Sequence, residues 1–501
     1  MRLKTILSLL LISCLVIAGC KKWEEHNEVT NQDLEKTLLD EISQRSNLSK
    51  FYEYLKSTGL DKELASSKTY TVWAPTNDAL QSLDPSIVSD TARLRQFVAN
   101  HIAHQTYFTR NAQQPVRVAM LNGKQVNFSA TKFDDATITT ADKYMGNGVL
   151  QVIDKFAPAY PNAWELVNNT KTTFRQNAFV LTLTRKVFDP TNGIIDSISS
   201  STGQPVYRPG TDSVLRNSFN TDVYDLQNEA TQYTYFILTD AGLNTEVTKL
   251  TPYFKTSTQD STTSLASFAV IKDLIVEGEY SITQLPAVLT SKYGVRIPID
   301  KNKIVETRRM SNGVAYVISE VNFDKREKIP AVVVQGENYI RFLDASGNIA
   351  TPRQNNTTAV FTRARISPTN QSFTDMFAYG HGMAGLSAQY RVNRLPSVKY
   401  KVYWVAPNDT LSLNGTIVPA AFTQRLAMGS RTATGINLLP TIAPLPPLNV
   451  KPLSYSEVYL GDYTQSAYGT LDMFLTNATS TTGEPGGNRM NLDYIRLVPD
   501  L

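Results

Sequence analysis

Tyr70 to Leu80, YTVWAPTNDAL, and Asn147 to Asp154, NGVLQVID, decide the fold, because the pair occurs twice in the chain. Tyr233 to Leu243 reads YTYFILTDAGL, and Asn312 to Ser319 reads NGVAYVIS. The separations nearly agree, 77 positions from Tyr70 to Asn147 and 79 from Tyr233 to Asn312. Solenoid units repeat every 20–50 residues or so. A longer spacing of this kind describes a duplicated domain.

Each signature has a physical reading. YTVW is a short β-rich run, and Pro75 removes a backbone donor and stops the strand. Thr76, Asn77 and Asp78 supply side chains that can cap a following helix. Asn147-Gly148 is a turn dipeptide, since both residues tolerate positive φ. VLQVID then alternates apolar and polar residues, which predicts a half-buried strand.

These motifs resemble the fasciclin family. TVWAPTNDAL is similar to its first signature, with Trp73 where phenylalanine is commoner, and NGVLQVID is similar to its second. Leu94 to Phe108, LRQFVANHIAHQTYF, resembles the segment carrying the family's Tyr-His pair; Asn100 stands in the tyrosine position and His101 is retained. The second copy is more divergent, with ILTD in place of a TPTN-like run and no histidine in Ile271 to Ile282. The resemblance covers roughly residues 33–325. It implies structural roles for Thr76, Asn77, His101, Asn147 and Gly148.

At 501 residues the chain has room for about three domains. Removing Arg2 and Lys4 with a leader would lower the 49 Lys and Arg to 47, against 45 acidic residues. A net charge of +2, with no polybasic run beyond short pairs such as Lys21-Lys22 and Arg308-Arg309, argues against a dedicated nucleic-acid binder. Arg2 and Lys4 precede an apolar run from Ile6 to Ala18, and LVIAGC ends at Cys20. This is the pattern of a secretory signal, too short for a membrane span. Ala18 and Gly19 before Cys20 resemble the bacterial lipoprotein box, which implies a signal peptide over 1–19 and lipid on Cys20. Cys14 falls in the removed segment, so neither a disulfide nor cysteine catalysis is expected. The acyl chains would hold the protein by burying methylenes, about 0.8 kcal/mol each. Lys21, Lys22, Glu24 and Glu25, in a tether over 20–32, resemble export tags of Bacteroidetes-type lipoproteins. A solvated tether reads equally well from the same residues. The expected location is the outer membrane, lipid-anchored and facing the exterior.

Helical spacing of Leu34, Leu38, Leu39 and Ile42, then Phe51, Tyr54 and Leu55, predicts helices between Asn31 and Leu60, with Gly59 as a stop. A fasciclin-like domain over 33–157 is followed by the linker APAYP and a divergent copy over 158–325. That copy should open with a helix over Thr173 to Val187 and carry a polar insertion loop from Gly193 to Asp212. KREKIP, Lys325 to Pro330, marks the next boundary. Residues 331–501 read as short alternating strands, an all-β sandwich interrupted by the Pro-rich segment from Thr441 to Pro452. YLGDYTQSAYGTLDMFLTN and MNLDYIRLVP resemble the closing strands of galactose-binding-like jelly-roll modules. The fold class is therefore α+β: two fasciclin-like domains, each a β-wedge with helices, and a jelly-roll-like sandwich.

Catalytic chemistry finds little material. His101 and His104 stand at i, i+3, a spacing that could hold a metal on a helix, but no acidic partner repeats the pattern. His381 lies among glycines in YGHGMAG, and no GxSxG, HExxH or phosphate loop occurs. No catalytic residue, metal or cofactor is expected. Sugars stack on aromatic rings and hydrogen-bond to polar side chains, and the C-terminal module offers Tyr379, Tyr390, Tyr403 and Trp404 as rings, although aromatics in strands are usually core and Trp404 in YKVYWV reads as one. The jelly-roll resemblance places Tyr468, Asn488 and Arg489, with Tyr463 and Asn491, as glycan-binding candidates near a loop face. The whole resembles accessory lipoproteins of outer-membrane glycan uptake, non-catalytic proteins that hold polymer near an importer. The alternative is a structural subunit docking to outer-membrane proteins without a sugar site.

Overall fold

The computed structural model describes residues 32–501 except 67, 355–356, 384, 409–411, 414–415, 418–420, 430–447, 452–453 and 478–488. Cys20, the leader, the tether and most of the Pro-rich segment lie outside the described residues. Helix and strand are mixed before residue 329, and among the described residues after it the regular elements are strands.

The first signature strand, Tyr70–Pro75, pairs antiparallel with Ile102–His104 and parallel with Gly148–Ile153. The sheet continues through Ala136–Met145 to the short strands Lys132–Phe133, Gln125–Phe128 and Val116–Ala119. Tyr70, Val72 and Ala74 face helices carrying Leu38, Phe51 and Leu55. Trp73 faces the curled end of the sheet, stacked 4.5 Å from Phe133 and edge-on to Phe128 at 5.3 Å. Both faces are thus covered, and Gly148–Ile153 is buried along its whole length. The alternation in VLQVID predicted half burial; a central strand flanked on both edges and covered on both faces buries Gln151 as well.

The second unit repeats four of these strands, from the Ile102–His104 edge inward, in the same order: Ile275–Glu277, Tyr233–Leu238, Gly313–Ile318, Ile304–Met310. Tyr70 pairs with Gly148, and Tyr233 with Gly313. The expected helix over Thr173 to Val187 is shorter, Arg175–Thr182, and the chain then turns into a strand, Thr184–Phe188. The expected polar loop is a ribbon. Thr184–Phe188 pairs with Ser213–Asn217, and Ile195–Ile198 with Pro205–Tyr207. Leu215 is 74 % exposed, Phe188 63 % and Ile198 60 %, an apolar surface that the polar composition of the segment conceals.

Ion pairs join the two units. Arg309 reaches Asp134 at 2.5 Å and Asp135 at 2.6 Å and lies over the Tyr160 ring. Lys124 reaches Glu165 at 2.5 Å and Glu229 at 3.0 Å.

Beyond residue 331 three sheets enclose one core. Four strands run in the order Val332–Gln335, Tyr494–Pro499, Lys399–Val405, Val458–Thr464. Six others centre on Ser387–Leu395 and Gly469–Asn477, and three more comprise Val360–Ile366, Ser372–Ala378 and Met490–Leu492. Trp404 and Ile495, Tyr390 and Leu475, and Met376 and Leu492 bring the three sheets' inner faces together. The region abuts the second unit where Ser397 N–H donates to Tyr253 O and Tyr468 N–H to Lys255 O.

Candidate functional site

A cleft of about 650 Å³ opens at one end of the C-terminal β region. One wall is the hairpin that turns through Ser367 to Gln371, with Asn370 at φ 62°. The other is built from Glu337, Tyr494, Tyr455 and Asp493. Phe373 and Tyr455 meet edge-on, 6.2 Å between ring centres. The backbone fixes Asp493: its N–H donates to Val405 O at 2.8 Å and its carbonyl accepts from Gly336 N–H at 2.5 Å. Burial pushes its carboxyl up to about 6, helped by the charges of Asp375 and Glu337. Glu337 Oε2 is buried with no hydrogen-bond partner. The nearby guanidinium groups are occupied, since Arg363 grips Asp375 at 2.6 and 2.9 Å and Arg365 adds a third contact at 3.3 Å. Such a cleft can accept hydroxyl hydrogen bonds on carboxylates and rest a sugar face on a ring.

The glycan-binding candidates named from the sequence do not gather here. Tyr463 is a core side chain whose hydroxyl donates to Gln465 Oε1 at 2.6 Å. Asn491 is buried, its backbone N–H donating to Gln424 Oε1 and its side-chain amide to Pro407 O. Arg489 is buried over Phe422 and donates to Asn408 Oδ1, burial pulling its guanidinium down to about 10. Tyr468 packs 5.3 Å from Phe254, at the contact with the second unit. Asn488 lies outside the described residues. The expectation of a shared loop face is corrected for the four described residues: Tyr463, Asn491 and Arg489 are buried in packing and strand pairing, and Tyr468 packs against the second unit. Tyr390 and Trp404 are buried in the core. Tyr403 packs on Tyr459, and Tyr379 on Phe377. What sequence reading missed is the Phe373, Tyr455, Glu337 and Asp493 set, brought together from four separate stretches. His381 is buried, its Nδ1 accepting from Met383 N–H at 3.2 Å.

The signature residues do the same work twice. Asn147 Oδ1 accepts from Leu38 N–H and its Nδ2 donates to Leu64 O; Asn312 accepts from Ala163 N–H and donates to Leu226 O and Asn228 O. Gly148 and Gly313 hold φ values of 150° and 137°, and a Cβ on either would lie 1.9 Å from a backbone oxygen, of Tyr70 or Tyr233. Thr76 Oγ1 accepts from Ala79 N–H, and Thr239 Oγ1 from Gly242 N–H. Asn77 differs from expectation. Rather than capping the helix after it, its Oδ1 accepts from Lys50 N–H and its Nδ2 donates to Ser46 O, pinning an earlier helix, and Asp240 Oδ1 likewise accepts from Arg175 N–H.

Residues 46–157 match the family model for the Fasciclin domain. This segment is a fasciclin domain. No curated protein matches the chain. Among solved structures, the FAS1 domain pair of the insect cell adhesion molecule fasciclin I is 17 % identical, covering 56 % of this chain and 99 % of that one at a TM-score of 0.23. The CBM36-1 domain of a multidomain xylanase from the hindgut metagenome of Trinervitermes trinervoides is 14 % identical, covering 33 % of this chain and 95 % of that one at 0.20. The Podospora anserina GH26-CBM35 β-(1,4)-mannanase is 11 % identical, covering 34 % and 28 % at 0.21.

In the fasciclin domain His101 is not on a helix. The helix ends at Ala99, and His104 follows on an exposed strand end. His101 is fully buried; Nδ1–H donates to Phe97 O at 2.9 Å, and Nε2 accepts from Ala157 N–H at 3.0 Å. Both ring nitrogens are engaged by the neutral tautomer, and burial pulls the imidazolium down to about 4. With Asn100, whose amide donates to Ala157 O and Pro158 O, it ties down the chain leaving the fasciclin domain. The second unit uses other chemistry at that place. Trp73 N–H donates to His101 O, and Phe236 N–H to Leu274 O, so Asp273 stands where Asn100 does. Asp273 pairs with buried Lys328 at 2.7 Å, tying down the chain leaving that unit. Burial pulls the Lys328 ammonium below its ordinary range, against the pull of Asp273. Among the described residues no group of three His, Cys, Asp or Glu could hold a metal.

Proposed function

We propose that this is a non-catalytic cell-surface lipoprotein for adhesion and glycan capture, accessory to an outer-membrane glycan uptake system. Lipid on Cys20 would anchor it in the outer membrane, facing outward. The fasciclin domain, residues 33–157, and a divergent fasciclin-like copy over 158–325 form a platform. A β-sandwich over 331–501 takes the glycan. Fasciclin domains are associated with cell adhesion. The observation that carries the glycan reading is the cleft beside Phe373, Tyr455, Glu337 and Asp493, because it joins ring faces to hydroxyl-accepting carboxylates. Tethering on a surface would raise the local concentration of weak sites.

A glycan microarray probed with the full chain tests this, with binding to at least one polysaccharide class expected. A blank array favours the second reading, a docking subunit of an outer-membrane complex. The observation behind that reading is the ribbon's apolar surface, including Phe188, Ile198 and Leu215.

A further inference from the structure

Among the described residues, none of the 14 that line the cleft is Lys or Arg. Its charged groups are two carboxylates, Glu337 and Asp493, and a third, Asp375, stands close enough to raise Asp493. The guanidinium groups nearby face Asp375 rather than the opening. The remaining polar wall is neutral: Ser367, Thr369, Ser372, Thr374, Gln335 and Gln371. Hydroxyls and amides both donate and accept, whereas ionised carboxylates only accept. A ligand seated there must therefore bring many O–H donors and no negative charge. Proteins commonly hold anions with Arg forks or Lys ammonium groups, and neither stands among the described residues lining the cleft. Phe373 and Tyr455 add ring surface for the apolar C–H face of a pyranose.

Resting on the glycan reading above, we infer that this cleft is the saccharide site and that it selects neutral, hydroxyl-rich chains while rejecting uronate-rich and sulfated ones. Glu337 and Asp493 accept sugar hydroxyl hydrogen bonds, Phe373 supports a ring, and the Ser367–Gln371 turn closes the side of the cleft.

The test is titration of the full chain with neutral β-glucan, mannan and xylan against polygalacturonate and a sulfated galactan. The expected result is binding to at least one neutral polymer, at least tenfold tighter than to either anionic one. Phe373→Ala should weaken neutral binding about tenfold, with an unchanged melting temperature showing that the fold survives. Thr369→Lys, on the exposed turn, keeps every buried contact and should raise polygalacturonate affinity at least threefold. Preference for an anionic polymer overturns the inference. Neutral binding that is indifferent to both variants also overturns it, while leaving the glycan reading standing with the site elsewhere. No binding to any polymer removes both.

Discussion

His101 shows what one side chain fixes in this fold. Its ring joins the end of a helix to the segment leaving the fasciclin domain, and it does so only when neutral, because Nε2 is an acceptor. In the unfolded chain a histidine takes its proton near pH 6.5, whereas the folded ring resists until about 4. As pH falls, the unfolded chain is protonated first. Stability is therefore whole above about pH 6.5, declines through the interval down to about 4, and levels off below it. The gap corresponds to roughly 3 kcal/mol. Melting curves between pH 7.5 and 4.5 should show an early transition that moves down with acid, and His101→Leu should flatten that dependence. A dependence unaltered by the substitution would place the titrating group elsewhere. The retained histidine was legible in the sequence; its engagement on both nitrogens was not, since Ala157 lies 56 residues away.

Among the elements, the paired signature strands and turns were the most legible part of the chain. Thr239 and Asp240 repeat the hydrogen bonds of Thr76 and Asn77 despite the change of sequence around them. The ends of the units were less legible. Lys325 to Pro330 reads as a charged linker, yet Lys328 turns inward to Asp273, Ala269 O and Val270 O. A charge run gives no hint of which member will be buried. Lys328→Met would leave Asp273 with Ser291 Oγ at 2.6 Å and Lys272 at 3.8 Å. Removing one partner of a buried pair costs about 3–5 kcal/mol. Urea unfolding should show that loss in the second unit, and Lys328→Met combined with Asp273→Leu should recover most of it. An equally large loss in the double variant would show that Asp273 does not depend on Lys328. The ribbon was illegible for another reason: over 193–212 its apolar residues are dispersed among Ser, Gly and Asp, so composition alone reads as loop.

At the scale of the whole molecule, the three regions are joined in series by ion pairs and backbone hydrogen bonds, and the cleft stands in the last. Strand alternation sends Tyr390, Trp404 and Tyr463 into the core, the usual fate of aromatic residues in strands. The rings beside the cleft come from a hairpin strand and a loop, positions with no periodic signature. The most direct test of the account is calorimetric titration of a neutral polysaccharide bound by the full chain into a chain ending at Pro330, with circular dichroism showing that the shortened chain is folded. The account predicts that the full chain binds and the shortened one does not. Equal binding by both would contradict it, moving glycan capture to the region before Pro330.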